Sequence, residues 1–158
     1  MDKIKLGISS CLLGESVRYD GAHKLDVYLK DKLGKFVEWV PVCPETECGL
    51  GVPREPMYLT GLPESPRLVT RNSKIDHTDR MLEWAEKELA QLEKEKLSGF
   101  VFKNNSPSCG LNNVFSKKGI GIFAKEFIKH FKLMPAEDDN RLQDEKIMGN
   151  FIKKIHEK

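Results

Sequence analysis

Residues 99–110, Gly99-Phe100-Val101-Phe102-Lys103-Asn104-Asn105-Ser106-Pro107-Ser108-Cys109-Gly110, decide the fold. The aromatic and β-branched start reads as a buried strand, and the Asn, Ser, Pro and Gly residues then break it into a loop that carries a cysteine. The same arrangement occurs twice upstream. Residues 3–9, Lys-Ile-Lys-Leu-Gly-Ile-Ser, read as a short strand, and Ser9-Ser10-Cys11 opens a polar loop that ends near Gly21. The run Phe36-Val37-Glu38-Trp39-Val40-Pro41-Val42 reads as a second strand, with Pro41 tolerable only near its end, and it delivers Cys43-Pro44-Glu45. Three cysteines thus each follow a strand.

Helical patterns lie between these strands. Leu25, Tyr28, Leu29 and Leu33 recur at helical spacing from about Lys24, and Gly34 stands where a helix stops. Thr78 is placed to cap a longer helix in which Leu82, Ala85, Leu89 and Leu92 share a face, with Gly99 as its end. Gly119-Ile120-Gly121 leads into a helix with Phe123, Phe127, Ile128 and Phe131, and Leu142, Met148, Phe151, Ile152 and Ile155 mark a C-terminal one. Residues 46–74 carry several Gly and Pro residues and read mostly as loop, with a short strand available at Arg67-Leu68-Val69-Thr70. Alternating strands and helices predict an α/β fold: a single domain over residues 1–158, a mostly parallel sheet flanked by helices in a three-layer, Rossmann-like or flavodoxin-like arrangement. In such sheets the ligand site lies outside the carboxyl ends of the strands, the edge where the three cysteines emerge.

Composition narrows the function. The 158 residues carry 32% charged side chains but a net charge of only +2, with no basic stripe, so a nucleic-acid polymer is not the expected partner. No window approaches the roughly 18 apolar residues of a membrane span and no signal core follows the first residues, so the expected compartment is the cytoplasm, without a membrane partner. There thiols stay reduced, and four cysteines point to metal ligation, catalysis or plain burial before disulfides. Thiolates suit soft metals. Three of them from separate loops could hold three corners of a cubane iron-sulfur cluster and leave one iron open to a substrate, and zinc would accept the same donors plus water. The third reading is three small buried side chains that bind nothing.

The motifs carry a further resemblance. Ser9-Ser10-Cys11-Leu12-Leu13-Gly14 with Val17-Arg18-Tyr19-Asp20-Gly21, then Cys43-Pro44-Glu45 with Gly49-Leu50 and Pro53-Arg54, then Ser106-Pro107-Ser108-Cys109-Gly110, resembles the 2-thiouracil desulfidase family, long catalogued as a domain of unknown function. The likeness continues through Asp76-His77-Thr78 and Gly119-Ile120-Gly121-Ile122-Phe123-Ala124 to Arg141-Leu142, nearly the whole chain. It implies a [4Fe-4S] cluster held by Cys11, Cys43 and Cys109, with one iron lacking a protein ligand, and acid/base groups at Glu45 and Ser106. The activity it implies is removal of sulfur from a thiolated nucleobase such as 2-thiouracil, without redox change, giving the carbonyl compound and hydrogen sulfide. Cluster assembly machinery is then an expected transient partner. A non-catalytic iron-sulfur or zinc carrier is the competing expectation.

Other residues carry weaker signals. Cys48, five positions after Cys43, reads as a spare thiol and only secondarily as a fourth ligand. Arg18, Tyr19 and Asp20 follow the first cysteine loop and are candidates to line a substrate pocket, Arg18 or Arg54 meeting an anionic or carbonyl group; an Arg-Asp pair pinning the loop is the plainer reading. His23, His77, His130 and His156 lack metal-ligand spacing, Trp39 and Trp84 read as core, and Gly-Ile-Gly near residue 120 reads as a tight turn.

Overall fold

A computed structural model describes residues 3–62, 64–111 and 120–157. Four parallel strands form its main sheet: β1 (Ile4–Ser9), β2 (Val37–Val42), β5 (Gly99–Phe102) and β6 (Ala136–Asp138), in the order β2-β1-β5-β6. Helices α1 (Val27–Leu33) and α5 (Glu145–Ile155) cover one face, and α3 (Thr78–Glu95) and α4 (Ile122–His130) the other, which is the expected three-layer α/β arrangement.

Strand alternation builds the two cores. Leu6 and Ile8 of β1 and Val101 of β5 pack with Leu29, Leu33, Met148, Phe151 and Ile155. The intervening residues face α3 and α4, where Phe100, Phe102, Phe123 and Phe127 form one aromatic cluster with Ala85 and Leu89. Gly7 makes room for it: a Cβ there would lie 2.3 Å from a Phe100 ring carbon. The Phe-Val-Phe run is therefore buried on both sides, as a central parallel strand requires. Pro41 is the penultimate residue of β2, paired with Ile8 near the strand end as expected, and is tolerated because β2 is the sheet edge.

Several element boundaries differ from the sequence expectation. Helix α1 starts at Val27, because the Asp26 carboxylate accepts the Leu29 N–H and caps it; Leu25 precedes the helix and is exposed. Residues 46–74 hold more regular structure than the one short strand expected at 67–70. They contain the end of a one-turn helix, α2 (Pro44–Glu47), and an antiparallel hairpin of β3 (Met57–Leu62) and β4 (Ser65–Thr70). Gly61 and Pro66 made this stretch look unstructured, yet they pair with each other in a two-stranded ribbon, and the far edge of β4 is bridged through Val69 to Asp76. Met57 and Leu68 anchor it on Met81 of α3 and Ile122 of α4.

Thr78 is the first residue of α3 rather than its cap, and its hydroxyl accepts the Leu68 N–H at 2.6 Å, tying hairpin to helix. The helix stops at Lys96, which takes a left-handed φ of 56°, and Gly99 instead begins β5, where a Cβ would lie 2.9 Å from both Ile155 and the Pro135 carbonyl. Leu142 belongs to a short 3-10 turn, Arg141–Gln143, and α5 begins after it, capped by Asp144. Strand β6, three residues of Ala-Glu-Asp, has no apolar pattern to announce it. Gly119 of the Gly-Ile-Gly segment lies outside the described residues. None of the described helices is long and apolar enough to cross a membrane.

Candidate active site

The sheet order puts a switch point between β1 and β5: the chain runs outward to β2 on one side and to β6 on the other. Crossovers diverging from such a point leave a crevice at the carboxyl ends of the strands. The loops after β1, β2 and β5 meet there around a cavity of about 400 Å³, and Cys11, Cys43 and Cys109 all line it.

Each cysteine is seated by local chemistry. Beyond β1 a 3-10 turn, Ser10–Leu13, carries Cys11 and closes on Gly14, whose φ of 91° suits a residue without a side chain. The Cys11 carbonyl accepts from Gly14 and Lys24, so both ends of the loop hang on this cysteine. Cys43 is the N-cap of α2; Pro44 takes the first helical position, where its missing N–H costs nothing, and the Glu47 carboxylate reaches back to accept the Cys43 N–H at 2.6 Å. Glu45 is thereby carried on the cavity wall. Around Cys109 the Ser106 hydroxyl accepts the N–H groups of Ser108 and Cys109 at 3.2 and 3.0 Å. The N-terminus of α4 then fixes this loop from behind: Ile122 and Ala124 donate to the carbonyls of Pro107 and Ser108, each at 3.0 Å. Gly121 allows that approach, since a Cβ there would lie 2.5 Å from the Ser108 carbonyl carbon and 2.7 Å from the Cys109 nitrogen.

Burial governs the thiols. It pushes Cys11 up to about 11, with Lys103 and Arg18 easing it down and the neighbouring Cys43 adding to the rise. Cys43 is pushed up chiefly by burial, and so is Cys109, against hydrogen bonds from Ser9 and Ser108. Thiolates here need compensating positive charge, which a soft metal centre supplies on binding as protons leave. Among the described residues the wall adds Arg18, Lys24, Arg54, Arg71 and Lys103 against one carboxylate, Glu45. No three described Cys, His, Asp or Glu side chains converge closely enough to hold a single ion. The three thiols share one cavity wall.

Of the other predicted site residues, Glu45, Ser106, Arg18 and Tyr19 line the cavity, the Arg18 guanidinium lying 5.6 Å from the centre of the Tyr19 ring. Asp20 is outside the lining; its exposed carboxylate accepts the Ala22 N–H in its own turn. Arg54 lines the cavity but grips protein groups, Glu45 at 3.3 Å and the Val17 carbonyl at 2.8 Å. Cys48 faces away, its sulfur 3.4 Å from the Glu45 carbonyl, against the small apolar cluster of Met57 and Met81. None of the four histidines lines the cavity, and Trp39 and Trp84 pack at the edges of the cores. Sequence reasoning missed Lys103, which follows β5 and contacts Asp139 at 3.8 Å, and Ser108, which donates to Glu45 at 3.2 Å. Ser108 stood in the quoted motif beside Ser106, and nothing local distinguishes the two hydroxyls.

The chain is similar to known proteins. The uncharacterized protein YbbK of Bacillus subtilis (strain 168) is 36% identical over 126 residues, covering 72% of this chain and 80% of YbbK. A solved structure described as the [4Fe-4S]-dependent thiouracil desulfidase TudS (DUF523Vcz) superposes with a TM-score of 0.68 at 28% identity, spanning 95% of this chain and 99% of that one. The model of the 2-thiouracil desulfurase family matches residues 6–139, a span that runs from β1 through all three cysteine loops to β6. With the three strand-end cysteines inside the matched span and gathered on one cavity, the chain belongs to the 2-thiouracil desulfurase family.

Proposed function

We propose that this protein is a desulfidase that uses a [4Fe-4S] cluster to convert a thiocarbonyl in a small heterocycle, such as 2-thiouracil, into the carbonyl compound and hydrogen sulfide. The observation that carries this reading is the meeting of Cys11, Cys43 and Cys109 with Glu45 on one cavity. Three cysteines on one cavity give an all-sulfur donor set, which suits iron-sulfur chemistry. The basic wall matches the negative charge that three thiolates bring. When bound, the cluster offers an iron without a protein ligand, a Lewis acid with affinity for sulfur.

The chain's own residues supply the remainder. The reaction adds water and releases hydrogen sulfide, so atoms balance without an external oxidant or reductant. Glu45 is the group placed to take a proton from the attacking water and return one to the departing sulfur. Ser106, the second acid/base candidate, presents its hydroxyl to the same cavity, 3.1 Å from that of Ser108. Arg18 and Tyr19 form the part of the wall suited to a planar ring bearing carbonyl oxygens. Supply of the cluster by cellular assembly machinery, and residence in the cytoplasm, belong to the same proposal.

The test is sulfide release from 2-thiouracil by anaerobically reconstituted protein, with iron content and visible absorption measured in parallel. Release by the wild type and none by Cys109→Ala supports the proposal. A full cluster without sulfide release from thiouracil or related thiolated bases would instead favour a carrier of iron-sulfur units.

A further inference from the structure

Glu45 is held at both oxygens by side chains that no motif singled out for the purpose. Arg54 Nε donates to Oε1 at 3.3 Å and Ser108 Oγ donates to Oε2 at 3.2 Å. Both donors are themselves immobilised. The Arg54 side chain is only 9% exposed; Nη2 donates to the Val17 carbonyl at 2.8 Å and Nη1 to the Gly51 carbonyl at 3.2 Å, while its backbone N–H reaches Tyr19. Ser108 is 1% exposed, sits 3.1 Å from the Ser106 hydroxyl and 3.8 Å from the Cys109 sulfur, and its carbonyl is held by α4.

A glutamate on a one-turn helix has three rotatable side-chain bonds and little neighbouring structure to choose among them. Two donors arriving from different loops remove that freedom. A carboxylate offers about four lone-pair sites, so two remain for a substrate water after Arg54 and Ser108 are satisfied. We propose that Arg54 and Ser108 are positioning residues for Glu45, fixing its carboxylate toward the cavity. The inference rests on the acid/base reading of Glu45. It adds that the geometry is set by a clamp joining the loops after β1, β2 and β5, so the carboxylate moves with the cysteine loops. Holding a proton-transfer group within hydrogen-bond reach of its target is worth a large part of its catalytic contribution.

A cycle of variants tests this: Ser108→Ala, Arg54→Lys and Glu45→Gln, and Ser108→Ala and Arg54→Lys each combined with Glu45→Gln. All are reconstituted anaerobically and assayed for iron per chain, visible absorption, and kcat and KM with 2-thiouracil. Ser108→Ala is expected to carry wild-type iron, to lose roughly tenfold or more in kcat, and to keep KM within about twofold. In the Glu45→Gln background, Ser108→Ala and Arg54→Lys should each change the residual rate by less than about twofold, because residues acting only through Glu45 have nothing left to position. The inference is overturned if Ser108→Ala and Arg54→Lys match the wild type, if their losses persist in full without Glu45, or if they track lost iron. If Glu45→Gln itself turns over like the wild type, the acid/base reading fails first, and the clamp with it.

Discussion

Replacing Gly121 by alanine probes the seat of the third cysteine directly. The φ of Gly121 is −57°, so alanine meets no backbone objection; the obstacle is space. Its Cβ would lie 2.5 Å from the Ser108 carbonyl carbon, 2.6 Å from the Ser108 oxygen and 2.7 Å from the Cys109 nitrogen. These are backbone atoms and cannot rotate aside. Reaching ordinary contact at 3.4 Å from 2.5 Å requires a separation of 3.4 − 2.5 = 0.9 Å between α4 and the Cys109 loop. That movement strains the hydrogen bonds from Ile122 and Ala124 that hold the loop. Overpacking of this kind costs about 1–3 kcal/mol, or roughly 3–10 °C in Tm for a chain of this size. Metal–ligand distances are held to about 0.2 Å, so on the proposed cluster site the same displacement takes the Cys109 sulfur out of register with Cys11 and Cys43. Gly121→Ala should therefore melt below the wild type by circular dichroism and take up less iron on anaerobic reconstitution. Gly149→Ala is the matched control: Gly149 lies inside α5 with nothing within 4 Å of its added Cβ, and it should gain about 0.5–1 kcal/mol with unchanged iron. A Gly121→Ala protein that melts and loads iron like the wild type would refute the close-approach argument.

Two further outcomes follow from side chains away from the cavity. Cys48→Ala should retain full iron and sulfide release while losing about 1 kcal/mol of stability from its apolar cluster, measured by urea denaturation; loss of iron would make Cys48 a ligand. Burial pushes the Asp76 carboxyl up, but hydrogen bonds from Thr78 and Arg67 outweigh it and hold the group at about 2. A folded-state value below the unfolded one means the stabilisation is present above the unfolded carboxylate range, near about 4, and is lost as pH falls through about 2. Asp76→Asn should then lower the urea midpoint by a constant amount from neutral pH down to about 5, with the gap narrowing below about 4. A gap that widens in acid would reverse the assigned sign.

How much of this was legible in the sequence depends on distance along the chain. Strand-then-cysteine three times over, the apolar rows of α3 and α5, and the Phe-Val-Phe strand are patterns within a dozen residues of one another, and local propensity with periodicity suffices to read them. The α/β class follows from their alternation, and with it the expectation that Cys11, Cys43 and Cys109 share one edge of a sheet. Three things did not follow. The hairpin of β3 and β4 hides behind Gly61 and Pro66, because its stability comes from Met57 and Leu68 packing on α3 and α4 rather than from its own composition. Strand order is a matter of which crossovers pack on which face, so the switch point between β1 and β5 is invisible in any single stretch. The clamp on Glu45 is the extreme case: Arg54 lies 9 residues away and Ser108 lies 63 residues away, and they meet on one carboxylate only when three strands bring their loops together. Residue type and spacing along the chain determined which groups were available for the chemistry; which oxygen each donor reaches was decided by tertiary packing, because a hydrogen bond depends on distance and angle in space and not on separation in sequence.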